Sequence, residues 1–179
     1  MNTRRDDNEL LDLIDDQGNI IGQDYRAAIY DRGAKNFRTI ELFLRNLKGD
    51  IFITRRAAHK RIAPGKYDNC GEHVLPGESD IAAARRGVQE EYGLDLPLQV
   101  FQFLGYATPA EGMWGYASVY VVEADDEPQI SCEHEWGKWL SPFDIMHILR
   151  KNPRQFRGNV QILLGKHARE LFPQFAGIV

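Results

Sequence analysis

The 179-residue sequence predicts an α+β fold in which helices cover both faces of a mixed sheet, an α/β/α sandwich. Three observations predict it. Apolar, β-branched runs of strand length recur along the chain. Segments with helical apolar spacing stand apart from them. The composition, 43% hydrophobic and 27% charged, is ordinary for a globular domain and supplies enough apolar mass for a core. The length suits one domain, expected over residues 9–179 behind a polar tail at 1–8.

The elements follow in order. "LLDLIDDQGNIIGQDY" has two apolar stretches split by the turn signal "DDQGN" and reads as a hairpin. "FRTIELFLRN" and "DIFITRR", joined by "LKGD", read as a second strand pair. "AAHKRIAPGKYDNCGEHVLPGE" carries Pro and Gly throughout and reads as loop with short strands. "SDIAAARRGVQEEYG" reads as a helix: Ser79 caps it, Asp80 suits its positive end, and Gly93 suits the residue beyond its last turn. Ile81, Ala84, Val88 and Tyr92 share one face of that helix. "LQVFQFLGYA", "GYASVYVVEA" and "WGKWL" read as strands. "SPFDIMHILRK" reads as a helix capped by Ser141 with Pro142 in first position, and "GNVQILLGKHAREL" as a third helix.

Charge and cysteine usage narrow the partners. A net charge of -4 provides no basic field for nucleic acid or an anionic membrane. Two isolated cysteines, Cys70 and Cys132, form neither a CxxC pair nor a disulfide framework, which suits a reducing cytoplasm. "MNTRRDDNELLDLIDD" lacks the apolar stretch of a signal peptide, and no later run is long enough to span a bilayer. A cytoplasmic protein acting on a small molecule is the expectation. Whether it works as a homodimer stays open.

The chemistry concentrates on the first long helix. Glu90 and Glu91 lie about 100° apart around it, with position 87 projecting between them. Adjacent carboxylates suit a hard divalent cation, and a backbone carbonyl near Gly71 would add another hard oxygen. Taken alone, two adjacent acids fit a solvated helix face better than a metal site.

The wider spacing resembles the Nudix box, G-x5-E-x7-R-E-U-x-E-E-x-G-U with U aliphatic. With Glu78 as the first acid, Arg86, Val88, Glu90, Glu91, Gly93 and Leu94 all fall on pattern positions within residues 71–94. Two positions depart. Glu72 stands in place of the leading Gly, with Gly71 beside it, and Gly87 replaces the Glu after the Arg. The resemblance implies a Nudix-type sandwich and a site that uses Mg²⁺, or Mn²⁺, on a diphosphate joined to another group. Gly87 removes one carboxylate, leaving either room for substrate or a shifted metal, or a helix that no longer hydrolyses anything. Both alternatives stay open here.

The N-terminal two thirds is more specifically similar to isopentenyl-diphosphate isomerases, through "DDQGNIIGQDYRAA", "NLKGDIFITRRAAHKRIAPG" and "LPGESDIAAARRG". The four basic positions that grip the diphosphate in those enzymes correspond to Arg26, Arg56, Lys60 and Arg86. The isomerase metal histidines correspond to Tyr30 and Phe37, which cannot replace imidazole, and the catalytic cysteine to Gly71 or Glu72. His73 matches a retained histidine. In "SCEHEWGKWL", Glu133, His134 and Glu135 stand where Nudix hydrolases carry a base or an extra metal ligand. Trp114, Tyr116 and Trp136 could stack on a base or sugar, or could be half-buried strand residues.

The resemblance thus implies a Mg²⁺-dependent hydrolase of a small nucleoside-diphosphate-type substrate, a nucleotide sugar among the candidates. Glu90, Glu91 and Gly71 would hold metal, and Glu91, Glu133 and Glu135 would serve catalysis. Glu78 would orient Arg86. The alternatives are an isomerase-like enzyme and a non-catalytic diphosphate sensor.

Overall fold

Residues that alternate between two buried faces build the centre of the molecule. The structure, a computed structural model, describes residues 8–175. The expected tail lies outside that range except for Asn8. The first strands, β1 (Leu10–Ile14) and β2 (Ile20–Tyr25), form the predicted antiparallel hairpin. Asp15 closes its turn by accepting the backbone N–H groups of Gln17 and Asn19, and Gly18 takes the left-handed φ of 83° that the turn needs. A short helix that the sequence reading did not separate, α1 (Arg26–Asp31), follows directly.

The main sheet contains β3 (Arg38–Arg45), β4 (Ile51–Arg56), β5 (Tyr67–Asp68), β6 (Cys70–His73), β7 (Phe101–Ala107), β8 (Tyr116–Glu123) and β9 (His134–Leu140). Its main path runs β5-β4-β3-β8-β7, with β6 added to β3 and β9 to β4. The sheet is mixed: β3 lies parallel to β8 over residues 38–45 and antiparallel to β6.

The predicted β3–β4 antiparallel pair forms, but it is short. These strands meet only at Arg45 and Ile51 beside their turn, then diverge. The reason is burial. Ile40, Leu42 and Leu44 point to one face of β3 and Glu41 and Phe43 to the other, and all five are buried. A strand covered on both faces belongs at the sheet centre, beside a parallel neighbour, rather than in a lone hairpin.

Helices cover both faces. On one face α2 (Asp80–Tyr92) packs Ala83, Ala84, Val88 and Tyr92 against Ile40, Leu42, Leu44, Tyr120 and Val122. Ser79 caps it through a bond from the Ala82 N–H, and Gly93 ends it with φ 67°. On the other face α3 (Pro142–Lys151), α4 (Gly158–Lys166) and α5 (Ala168–Leu171) cover Phe43, Ile51, Ile53, Val119 and Val121. The third predicted helix is therefore two, broken at His167. A smaller cluster of Leu11, Ile29 and Phe37 anchors the hairpin and α1 to this sandwich. No helix among the described residues is long and apolar enough to cross a membrane.

Candidate active site

One cavity of about 900 Å³ opens between the hairpin, α1, the main sheet and α2. Its acidic wall is the inner side of α2 and β6. Glu91 sits one turn beyond Gly87, buried, with one carboxylate oxygen 3.2 Å from His134 Nε2. Burial pushes the Glu91 carboxyl above the usual carboxylate range, and the His134 contact only partly offsets this. Glu90, on the same wall, keeps its side chain 60% exposed. Glu72 reaches in from β6, and its carboxyl is pushed up to about 8, by burial first and then by the charge of Glu91. Gly71 lines the cavity beside Glu41 and Arg157.

Arg86 ties this wall together. Its Nε and Nη2 donate to Glu78, its Nη1 to Glu72 and its Nη2 to the His73 carbonyl. Glu78 also accepts from the Leu75 N–H at 3.1 Å, fixing the loop before α2. Glu78 does not line the cavity, so its reach to the site runs through Arg86.

The cationic wall faces these acids. Arg56 Nη1 lies 2.7 Å from buried Asp68, Lys60 Nζ lies 2.9 Å from Glu133, and Arg26 Nη1 lies 3.6 Å from Glu9. Arg26, Arg56, Lys60 and Arg86 all line the one cavity. For Glu133, burial alone would raise the carboxyl, but the Lys60 contact outweighs it and the group titrates below its ordinary value.

The structure separates the two acids of the "EHE" segment. The strand begins at His134, earlier than "WGKWL" suggests. Side chains alternate along it, so His134 turns inward while Glu135 turns out to Arg55 at 3.3 Å. Glu135 does not line the cavity, whereas Glu133 does.

Gly87 also receives a different explanation from either sequence alternative. It leaves no vacant space: a Cβ there would stand 2.5 Å from Glu72 Cγ and 3.4 Å from Cys70 Sγ. The helix is glycine at this point because the Glu72 side chain crosses it.

Sequence reasoning missed the floor of the cavity. Arg157, just before α4, donates through Nη2 to both Glu41 oxygens at 2.9 Å, and its Nε lies 3.0 Å from Asp68. Asn159 adds a bond to Glu41. Glu41, a single acid inside the apolar run "TIELFLR", was the available signal, because a buried lone charge needs a partner. Nothing in the spacing points to Arg157, which lies 116 residues away.

The remaining wall is aromatic. Tyr30, Phe37 and His73 meet with ring centroids 5.6–5.9 Å apart, and Trp114 lies 6.0 Å from Tyr30. His73 Nε2 lies 2.8 Å from the Tyr30 hydroxyl and its Nδ1 2.9 Å from Glu9. Of the three candidate stacking residues, Trp114 lines the cavity. Tyr116 bonds Asp16, and Trp136 packs edge-on against Tyr67.

Comparison with known proteins accords with this geometry. Residues 35–160 match the NUDIX domain family. An uncharacterized Nudix hydrolase of Nostoc sp. is 37% identical over 149 residues, covering 81% of this chain and 88% of the relative. An isopentenyl-diphosphate Delta-isomerase 2 of Photorhabdus laumondii is 31% identical over 150 residues, 81% of this chain and 84% of the relative. Among solved structures, DR0079 of Deinococcus radiodurans superposes with a TM-score of 0.77 at 25% identity, over 88% of this chain and 98% of that one. The box spacing on α2, the mixed sheet between helical layers and the match over residues 35–160 agree: this chain belongs to the Nudix hydrolase family.

Proposed function

We propose that the protein hydrolyses a diphosphate linkage in a small nucleoside-diphosphate-type substrate, with nucleotide sugars as the first class to test. The observation that carries this reading is the pairing of walls in one cavity: Arg26, Arg56, Lys60 and Arg86 converge with Glu90 and Glu91. Cationic side chains suit a diphosphate, and the carboxylates suit a divalent cation.

The donors fit Mg²⁺ or Mn²⁺ in kind, being carboxylates with the carbonyl of Gly71 as a further hard oxygen. Among the described residues no three His, Cys, Asp or Glu side chains are grouped to hold a metal ion by themselves, so Glu90 and Glu91 would hold it together with the Gly71 carbonyl and substrate oxygens. The bound cation would neutralise charge developing on the phosphorus oxygens and orient the attacking water.

The protein's own groups divide the remaining work. Lys60 and Arg56 exchange Glu133 and Asp68 for phosphate oxygens. Lys60 leaving Glu133 frees a carboxylate at the cavity edge to accept a proton from water. Glu78 holds Arg86 in place.

The isomerase reading is disfavoured by one contact set. Tyr30 and Phe37 occupy the positions expected of metal histidines and pack against His73, leaving a single imidazole among aromatic rings. The test is incubation with a panel of nucleotide sugars and dinucleoside diphosphates, with and without Mg²⁺, followed by phosphate detection after phosphatase treatment. Mg²⁺-dependent release from one class is the expected result. No release from any member, with isopentenyl diphosphate taking up solvent deuterium instead, would overturn the hydrolase reading.

A further inference from the structure

The two departures from the Nudix box touch each other. Glu72 stands where the pattern has glycine, Gly87 where it has glutamate, and the side chain of the first fills the place that the side chain of the second would occupy. We infer that they are one exchange: Glu72 supplies from β6 the carboxylate that the box otherwise supplies from α2, and acts as a further oxygen donor to the cation at this site. The inference rests on the metal-site reading above and adds a donor that the box spacing does not identify.

The geometry explains why Glu72 goes with glycine at 87. β6 and α2 are packed so closely at this level that a Cβ on residue 87 would meet Glu72 Cγ at 2.5 Å and Glu72 Cβ at 3.4 Å. With Glu72 in place its Cγ leaves no room for a side chain at 87, whereas the 3.4 Å approach to its Cβ is ordinary contact. The substitution also keeps the carboxylate among the same neighbours. Glu72 Oε2 lies 3.1 Å from Arg86 Nη1, and Arg86 also contacts Glu90 at 3.6 Å, so Glu72 sits with the box arginine and beside the box acids. Both Glu72 and Glu91 line the cavity. A mid-helix glycine costs roughly 1 kcal/mol relative to alanine, so a position that lacked a structural reason for it would gain from substitution.

The alternative is a structural role, in which Glu72 merely anchors Arg86. Metal affinity separates the two, because an anchor for Arg86 leaves the cation's donor set intact. The experiment is calorimetric titration of the full chain with Mg²⁺ or Mn²⁺ alone, without substrate, for wild type, Glu72→Gln, Glu72→Gly, the double variant Glu72→Gly with Gly87→Glu, and Glu91→Gln. Thermal unfolding of each metal-free protein monitors folding. Glu72→Gln and Glu72→Gly are expected to weaken the cation by about tenfold or more, on the scale typical of perturbing a metal site. The double variant, which restores the box, is expected to recover most of that loss. Wild-type affinity in Glu72→Gln, or a double variant no better than Glu72→Gly, would overturn the exchange. Wild-type affinity in Glu91→Gln would instead overturn the metal-site reading itself. Loss in Glu91→Gln with no loss in Glu72→Gln would overturn only the exchange.

Discussion

The two ends of the cavity are built on different physical terms. At the α2 end, charges are locked together: Arg86 holds Glu72 and Glu78, and Arg157 bridges Glu41 and Asp68. At the hairpin end, Tyr30, Phe37 and Trp114 meet through tilted ring contacts, with His73 and the Arg26–Glu9 pair beside them. The ionic end makes demands on geometry, since a buried charge without its partner costs several kcal/mol. The aromatic end tolerates more, since ring contacts are individually weak and accept many shapes. The difference teaches where constraint and latitude lie. On the proposed function, diphosphate chemistry would fall at the end where misplacement is costly, and discrimination between substrates at the end where it is not.

The strongest test of that contrast is Arg157→Met. It leaves Glu41 and Asp68 buried without their shared cation, and a loss of about 3–5 kcal/mol in unfolding free energy is expected from urea titration. An unchanged urea midpoint would show that the ionic floor is not under that constraint.

Next in size is Glu91→Gln, which keeps shape but removes an anionic donor. Metal-dependent turnover should fall beyond the roughly 10–100-fold that a ligand's supporting hydrogen bonds carry, with the melting temperature of the metal-free protein held or raised. The sign of the stability change follows from burial, which raises the Glu91 carboxyl and so makes its ionised form unfavourable in the folded state. Retained Mg²⁺-dependent turnover would remove Glu91 from the site.

Lys60→Ala should weaken binding of a nucleoside diphosphate by about 1.5–3 kcal/mol, the range for hydrogen bonds to charged groups. The penalty should shrink as salt rises. Fluorescence titration at two ionic strengths checks both, and a salt-independent penalty would argue for a packing role.

The smallest effect is expected at the aromatic end. Trp114→Ala should cost roughly 0.5–1.5 kcal/mol in binding of a ring-bearing substrate and leave inorganic pyrophosphate affinity unchanged. Equal loss for both ligands would erase the division between the two ends.

The ionic wall was readable from sequence because spacing along one helix dictates which side chains share a face. Ser79 and Gly93 needed only known capping preferences, while Glu90 and Glu91 needed the box spacing to distinguish them from a solvated face. The cationic wall was readable through resemblance alone, since Arg26, Arg56 and Lys60 come from separate elements that the fold brings together. Arg157 carried no local signal at all. Glu135 failed for a smaller reason: strict alternation would give residues 133 and 135 one face, but Glu133 precedes β9 and Glu135 falls at the irregular step between Trp136 and His134 in the pairing with β4. The pairing of β3 with β8 rather than mainly with β4 is a tertiary choice made by burial on both faces, which a local turn signal does not encode.

The contact between residues 72 and 87 also constrains substitution. Glutamate at both positions crowds atoms that cannot approach so closely, and glycine at both leaves the wall a carboxylate short. The two positions are therefore coupled, and the effect of a replacement at either depends on the residue at the other.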